Sequence, residues 1–491
     1  MKRNPEYYSR ELLQAARRFD SAENQLALNI IDNFNEKIVR EPEFKDIFLN
    51  LSGKQGTPKN IVWIDASQDK LPATSEAARV SGEGRIVNSR QELLTESQKN
   101  RTETLFLSQC VKKDCYDKNL SIHLEKKGSV TSPGPVTAPG GLFSNKLKTY
   151  KLLSRKYPNN NLIANFKDVP VDKSQYPKVT AGKILDAVDG IKKTKSFFIK
   201  PPEGGGGLGG FRLVKVSRNG NNNYIIPDLS RVSGDTTRPR MINLTVDAEK
   251  PEILEELWWI YNYFKEDPVL SKNYIKTNIR NISELKKVLE TRKNPKNYSR
   301  KEAIAKLSGS ITKFENKFNR KYHPIVNHYI DFGSWGLRAH YRLTGKGIQL
   351  ETVYARIFQI RFSKKGIGYV GADNISNKQT GELELARLVP INKLMVEAAG
   401  GQERLYRILK KGALGLKALL ETLPPSERSK VPLRVQFDLA PAGGLIGEAN
   451  SDTARGFCLA QNFESFIKNT RQWFKDSLKY YRYKKQLYEP R

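Results

Sequence analysis

The chain has 491 residues, room for two or three domains at roughly 150 residues each, and its 38% hydrophobic share is ordinary for a folded protein. No run of about 18 apolar residues occurs, and the charged start Met1-Lys2-Arg3-Asn4-Pro5-Glu6 lacks the apolar core of a signal peptide. These features argue against a membrane span or secretion and predict a cytoplasmic protein. Lys and Arg total 84 against 52 acidic residues, a net charge of +32 that favours anionic partners or else reflects a solvated basic surface. The three cysteines, Cys110, Cys115 and Cys458, are too few for a disulfide framework, and no second pair or His cluster completes a zinc site around Cys110 and Cys115.

In chain order, residues 1 to about 55 read as helices. Asp20 with Glu23 can form a capping box ahead of Leu26, Ile30, Ile31, Phe34 and Ile38 at helical spacing. Asn60 to Ala66 reads as a buried strand. Further weak alternation through Leu105-Phe106-Leu107 and Leu120 to Leu124 suggests a small α/β domain over 1–125. A Pro/Gly-rich connector over 126–144 leads to a helix from about Asn145 to Lys156. The stretch 251–322 reads as helical, opening on the amphipathic set Leu254, Leu257, Trp258, Ile260, Tyr261 and Phe264. Its later part is basic, with 15 Lys/Arg against 4 acidic residues from Val269 to His323. The end of the chain, 461–491, reads as a basic helix with Trp473, Phe474, Tyr480, Tyr481 and Tyr483 interleaved.

Three segments carry chemistry. The first runs from Ser196 to Val216: an apolar strand delivers Lys200, a glycine loop follows, and a second strand leaves it. Six glycines within the seven residues 204–210 let the backbone approach a bulky anion and turn successive N–H groups toward phosphate oxygens. No Gly-Lys-Ser/Thr follows, so this is not a Walker A loop, and a strand rather than a helix follows, so it is not a good dinucleotide fingerprint. A flexible hairpin turn is the plainer alternative. The second segment, Pro432 to Asn450, reads as a hairpin turning at Pro441-Ala442-Gly443-Gly444. Glu448 and Asn450 share one strand face. If the turn uses an odd number of residues, such as Pro441 to Leu445, Asp438 comes opposite Glu448. Mg²⁺ takes one or two carboxylates plus phosphate oxygens and water, which suits such a set, and a solvent-facing polar strand is the alternative. The third segment holds strands near Ile325 to Phe332, Gly336 to Leu343 and Ile348 to Ile357. Arg338, His340 and Arg342 share a face suited to phosphates or a carboxylate, or else to cross-strand charge pairing.

Together and in this order these elements resemble the ATP-grasp superfamily. The resemblance spans roughly 140–460 and implies an α/β (α+β) fold in which two α+β subdomains clamp ATP, preceded by a small α/β domain at 1–125. It implies an N-terminal subdomain at 145–250 with the glycine loop, an insertion at 251–322, a C-terminal subdomain at 323–460 with the magnesium hairpin, and a terminal helix at 461–491. ATP would be held by Lys146 or Lys148, Lys200, Gly204, Gly205, Gly206, Gly207 and Gly209, with an adenine hinge at His328, Tyr329 and Ile330. Mg²⁺ would be held by Asp438, Glu448 and Asn450. Arg338 and Arg356 would face the phosphates and the acyl intermediate, and Arg455 would orient the acceptor carboxylate. The implied activity is ligation: a small-molecule or peptide carboxylate is activated as an acylphosphate and joined to an amine. The alternative is a kinase acting on an anionic small molecule, and a nucleic-acid-binding protein ranks below it. A homodimer is compatible with the resemblance, and no membrane partner is expected.

Overall fold

Where apolar residues recur, at helical spacing or on alternate strand positions, they must find one another to leave water. The computed structural model of the chain describes residues 22–48, 60–64, 85–87, 89–99, 104–108, 130–131, 145–159, 162–192, 194–202, 209–218, 221–230, 232–233, 240–241, 252–266, 268–290, 296–328, 335–357, 359–371, 388–422, 434–441 and 444–450. The expected Asp20 cap, the Leu120 to Leu124 strand, most of the 126–144 connector, the three cysteines and the 461–491 helix lie outside these residues.

The described chain opens with helix α1 (Ala22–Ile38), strands β1 (Asn60–Ile64) and β2 (Arg85–Val87), helix α2 (Arg90–Lys99), and strands β3 (Thr104–Ser108) and β4 (Val130–Thr131). Helix α3 (Lys146–Lys156), β5 (Phe166–Asp168), α4 (Pro177–Gly190), β6 (Ser196–Lys200), β7 (Phe211–Arg218), β8 (Asn221–Ile225) and β9 (Arg240–Met241) follow. Next come α5 (Glu252–Glu266), α6 (Pro268–Tyr274), α7 (Ile282–Glu290), β10 (Asn297–Ser299), α8 (Arg300–Phe318) and β11 (Ile325–His328). The remainder is β12 (Trp335–Thr344), β13 (Gly347–Ile357), β14 (Gln359–Ser363), β15 (Gly366–Gly371), β16 (Leu388–Val389), α9 (Lys393–Ala398), α10 (Gln402–Leu420), β17 (Arg434–Leu439) and β18 (Ile446–Asn450).

These elements form two compact units: Met1–Leu162 with Leu337–Arg356 and Ser376–Arg491, and Ile163–Gly336 with Ile357–Ile375. In the first unit β2-β1-β3-β4 make a parallel sheet, whose last strand falls in the stretch read as a connector. The same unit holds a five-stranded sheet, β16-β13-β12-β17-β18, in which β13–β16, β12–β17 and β17–β18 pair antiparallel. Helix α10 covers one face of it. Gly412 and Gly415 on this helix give room to two rings, since a Cβ at Gly412 would lie 2.4 Å from the Tyr341 Oη and one at Gly415 2.8 Å from Phe437. The Tyr341 hydroxyl then donates to the Leu409 carbonyl at 2.7 Å.

Helix α1 packs on this body through Phe34, whose ring centroid lies 6.1 Å from Tyr341 and 5.5 Å from Tyr406. Its Asn35 exchanges both amide hydrogen bonds with the Leu350 backbone on β13, at 3.0 and 2.7 Å. Helix α3, grouped from the sequence with the glycine-loop subdomain, belongs to this first unit. Asn145, read as the first residue of the helix, is its cap, accepting from the Lys148 N–H at 3.1 Å, and the Tyr150 hydroxyl of α3 donates to the Gly447 carbonyl of β18 at 2.8 Å.

The second unit is built on a six-stranded antiparallel sheet, β10-β8-β7-β6-β11-β5. One face packs on α4 and α8 through Phe197, Ile199, Phe211, Leu213, Tyr224 and Val326. Much of this core comes from the stretch read as an insertion. Ala303, Leu307, Ile311 and Phe314 of α8, and Tyr322 after it, are all buried in it. Ser299 and Glu302 form a reciprocal capping box at the start of α8, which explains why a basic sequence begins a helix there. The earlier half of the same stretch covers a three-stranded sheet, β14-β15-β9. There Phe362 of β14 meets Tyr261 and Phe264 of α5 edge-on, at 5.2 and 6.3 Å.

Candidate functional site

The polar residues of the five-stranded sheet converge on the face opposite α10. Strands β12 and β17 pair with Arg338 opposite Asp438 and His340 opposite Gln436. Strands β17 and β18 pair with Asp438 opposite Glu448 and Gln436 opposite Asn450. The expected opposition of Asp438 and Glu448 therefore occurs, but by a different route. Ala440 donates to the Leu445 carbonyl at 2.9 Å, leaving the four residues 441–444 in the turn. The register then shifts by one between Leu439↔Ile446 and Asp438↔Glu448, with Gly447 as the extra residue. A bulge, not an odd turn, brings the two carboxylates face to face.

Each carboxylate is matched by cations. Arg338 grips Asp438 in a bidentate fork, Nε to Oδ1 at 2.7 Å and Nη2 to Oδ2 at 2.9 Å. Arg356 stands 3.9 Å from the same carboxylate. The Gln436 amide oxygen, oriented to satisfy it, accepts from Arg338 Nε at 3.0 Å. Lys146, at the first position of α3, reaches Glu448 Oε1 at 3.2 Å. Lys148 is exposed two residues on, so of the two candidates Lys146 is the one brought to the hairpin. Burial would raise the Asp438 carboxyl, but the Arg338 and Arg356 guanidiniums outweigh it and hold the group below its ordinary value. Burial opposes charge on Arg338 as well, yet Asp438 leads the interactions that push its pKa up. The pair is thus ionised in a dry setting. Next to it His340 lies 3.3 Å from the Tyr354 hydroxyl, whose pKa burial pushes well up, and Arg342 pairs with the buried Glu351 at 2.8 Å.

Among the described residues no group of three His, Cys, Asp or Glu forms a metal cluster. A cation at the hairpin would rest on the facing Asp438 and Glu448 carboxylates and take its other oxygens from phosphate and water. That hard, incomplete donor set fits Mg²⁺, and Lys146 and Arg356 show that the face already selects positive charge.

In the second unit Lys200 ends β6, opposite Ile325 of β11. The registers of β5, β11, β6 and β7 place Lys200, Phe198 and Ser196 on one face with Arg212, Asn327 and Phe166, the face turned away from α4 and α8. Arg212 donates to the Ser196 hydroxyl at 3.0 Å, and the Lys200 ammonium stands 6.0 Å from the Phe198 ring centroid. The glycine loop is anchored at its exit. Gly209 is buried at φ +73°, a Cβ there would meet Pro201 at 2.7 Å, and the Tyr322 hydroxyl donates to its carbonyl. His328 ends β11 and is exposed. Gly204, Gly205, Gly206, Gly207, Tyr329, Ile330 and Arg455 lie outside the described residues, as does the side chain of Asn450. The sequence reading passed over Gln436, Tyr354 and Asn327. Gln436 had a signal in its position two residues before Asp438; Asn327 had none, since its partners are strands distant in sequence.

No protein-family model and no curated protein matches the sequence. Among solved structures, the chain is similar to a D-cycloserine synthetase at 10% identity and a TM-score of 0.40, over 83% of this chain and 99% of the other. It is similar to D-alanyl-alanine synthetase A of Vibrio cholerae at 9% identity and 0.38, over 86% and 99%. It is also similar to N5-carboxyaminoimidazole synthetase of Staphylococcus aureus, complexed with ADP, at 9% identity and 0.34, over 81% and 72%. At such scores these likenesses carry no inference about the activity of this chain. What stands on its own coordinates is a mixed α/β protein with antiparallel sheets and a carboxylate pair ringed by arginine, lysine and amide groups.

Proposed function

We propose that this chain is an ATP-grasp-type ligase that spends ATP to join a carboxylate to an amine. The observation that carries the reading is the facing pair Asp438 and Glu448, set by a β-bulge at Gly447 and ringed by Arg338, Arg356 and Lys146. The two carboxylates are the hard oxygen donors that Mg²⁺ would need, and the arginines and lysine beside them suit the phosphate oxygens that would come with it. The glycine-rich sequence after Lys200 also suits phosphate, offering backbone N–H groups beside a point charge.

Asp438, Glu448 and Asn450 would hold Mg²⁺, which would supply charge neutralisation for the phosphates. Lys200 and Lys146 hold phosphate oxygens. Arg338, kept charged and aimed by Asp438, stabilises the transferring phosphoryl group, with Arg356 beside it. An oxygen of the acceptor carboxylate attacks the γ-phosphorus. A P–O bond forms as the bond to ADP breaks, giving an acylphosphate. The amine nitrogen then attacks the acyl carbon, the C–O bond to phosphate breaks, and the amine proton passes to solvent. Arg455 orients the acceptor carboxylate, and the site operates in the cytoplasm.

The test is release of ADP and phosphate across a panel of amino acids and amines. The expected result is release that needs both a carboxylate and an amine, and that Glu448→Gln abolishes without loss of fold. The net charge of +32 favours one rival, a kinase acting on an anionic small molecule. A stable phosphorylated product formed without any amine would establish that rival and overturn the ligase.

A further inference from the structure

Asn327 sits in the middle of β11, 3% exposed, and among the described residues neither its amide nitrogen nor its amide oxygen has a hydrogen-bond partner. Burying an amide with both ends unmet is costly, and folded chains rarely leave one so. Its surroundings are specific. Across the sheet Asn327 faces Phe198 on β6 and Phe166 on β5, so an aromatic ring flanks it on each side of the same face. Lys200 lies on that face, one position along β6 from Phe198 in the side-chain repeat. This is the side of the sheet turned away from the α4 and α8 core. An amide offering one donor and one acceptor between two rings matches a planar heterocycle whose edge offers the reverse pair. An Asn side chain meets adenine in this way, donating to a ring nitrogen and accepting from the 6-amino group.

We propose that Asn327 reads the base edge of the bound nucleotide, with Phe166 and Phe198 as the apolar floor beneath the ring. The proposal rests on the ATP-dependent reading above and adds the group that chooses the base. Base recognition would then lie in a side chain of β11, not only in backbone atoms of the segment after it. Because no neighbour among the described residues fixes the amide's orientation, a 6-oxo purine read at N1–H and O6 can also pair after the amide turns over. The discriminating partner is therefore a purine that lacks any 6-substituent.

The experiment measures equilibrium binding of Mg-ATP and of Mg-purine riboside triphosphate to the full chain and to Asn327→Leu. Wild type is expected to hold ATP about tenfold more tightly than the unsubstituted purine, in line with a bidentate amide contact. Asn327→Leu is expected to hold the two equally, while the melting temperature of the free protein does not fall, since two unmet polar atoms have been removed. Asn327→Ser, smaller and still polar, is expected to lose the same preference should leucine disturb the packing. An unchanged ATP preference in both variants overturns the role of Asn327 and leaves the ligase reading intact. Failure of the wild type to bind either nucleotide overturns both.

Discussion

At the scale of single residues, Asp438 decides most. Its part-buried carboxylate is held by two guanidinium bonds of 2.7 and 2.9 Å, so removing the charge strands the buried Arg338. Asp438→Asn is expected to destabilise the fold by about 3–5 kcal/mol, the usual result of breaking one side of a buried pair. The pH dependence follows the same contact. The folded-state pKa of Asp438 is depressed, so the stability it contributes is full above the ordinary carboxylate range and is lost as pH falls through the folded value. Denaturant melts of wild type and Asp438→Asn from neutral pH downward should therefore converge on acidification. Parallel curves would show that Asp438 is not held as described. The sequence made Asp438 and Glu448 visible through their two-residue offsets. It did not show that Arg338, a hundred positions earlier, forks onto Asp438, because that contact exists only once β12 lies beside β17.

At the scale of elements, α10 shows how a local rule yields to packing. Glycine inside a helix costs roughly 1 kcal/mol relative to alanine, yet α10 carries Gly412 and Gly415 in its body. Tyr341 and Phe437 press against those two positions, too close for a Cβ. Gly412→Ala should therefore destabilise by about 1–3 kcal/mol despite the gain in helix propensity, as overpacking does. Thermal unfolding measures it, and a rise in melting temperature would contradict the close approach. Helix α1 makes a similar point. Its amphipathic spacing was legible, but not that Asn35 would pair with the backbone of Leu350, 315 residues away. Asn35→Ala leaves the Leu350 N–H and C=O without that partner and should cost about 1–3 kcal/mol, read by the same melts.

At the scale of the whole molecule, the residues proposed to meet the nucleotide form two sets: Lys200 and Asn327, and Asp438, Glu448 and Lys146. Under the ATP-dependent reading, Lys200→Ala and Glu448→Ala should each weaken Mg-ATP binding, and the Mg-ATP-induced rise in melting temperature should shrink in both. A shift lost in only one variant would separate the two sets of residues. The net charge of +32 sets a second expectation. Affinity for any anionic ligand should fall with salt. Oligonucleotide binding that persists in both variants would assign the basic surface to a nucleic acid partner instead. Among the described residues no helix is long and apolar enough to cross a membrane.

By itself the sequence determined the strand carrying Lys200, the helix from about Asn145 to Lys156, and the hairpin bearing Asp438 and Glu448. Each is a local pattern of period or turn within some twenty residues. Only the tertiary structure decided that a bulge at Gly447 aligns the carboxylates, that Lys146 rather than Lys148 meets Glu448, and that Asn327 is buried between two phenylalanines with nothing among the described residues to bond. The reason is physical. Register, burial and ion pairing are settled by strands far apart in the chain, and no local spacing encodes which of them will lie side by side.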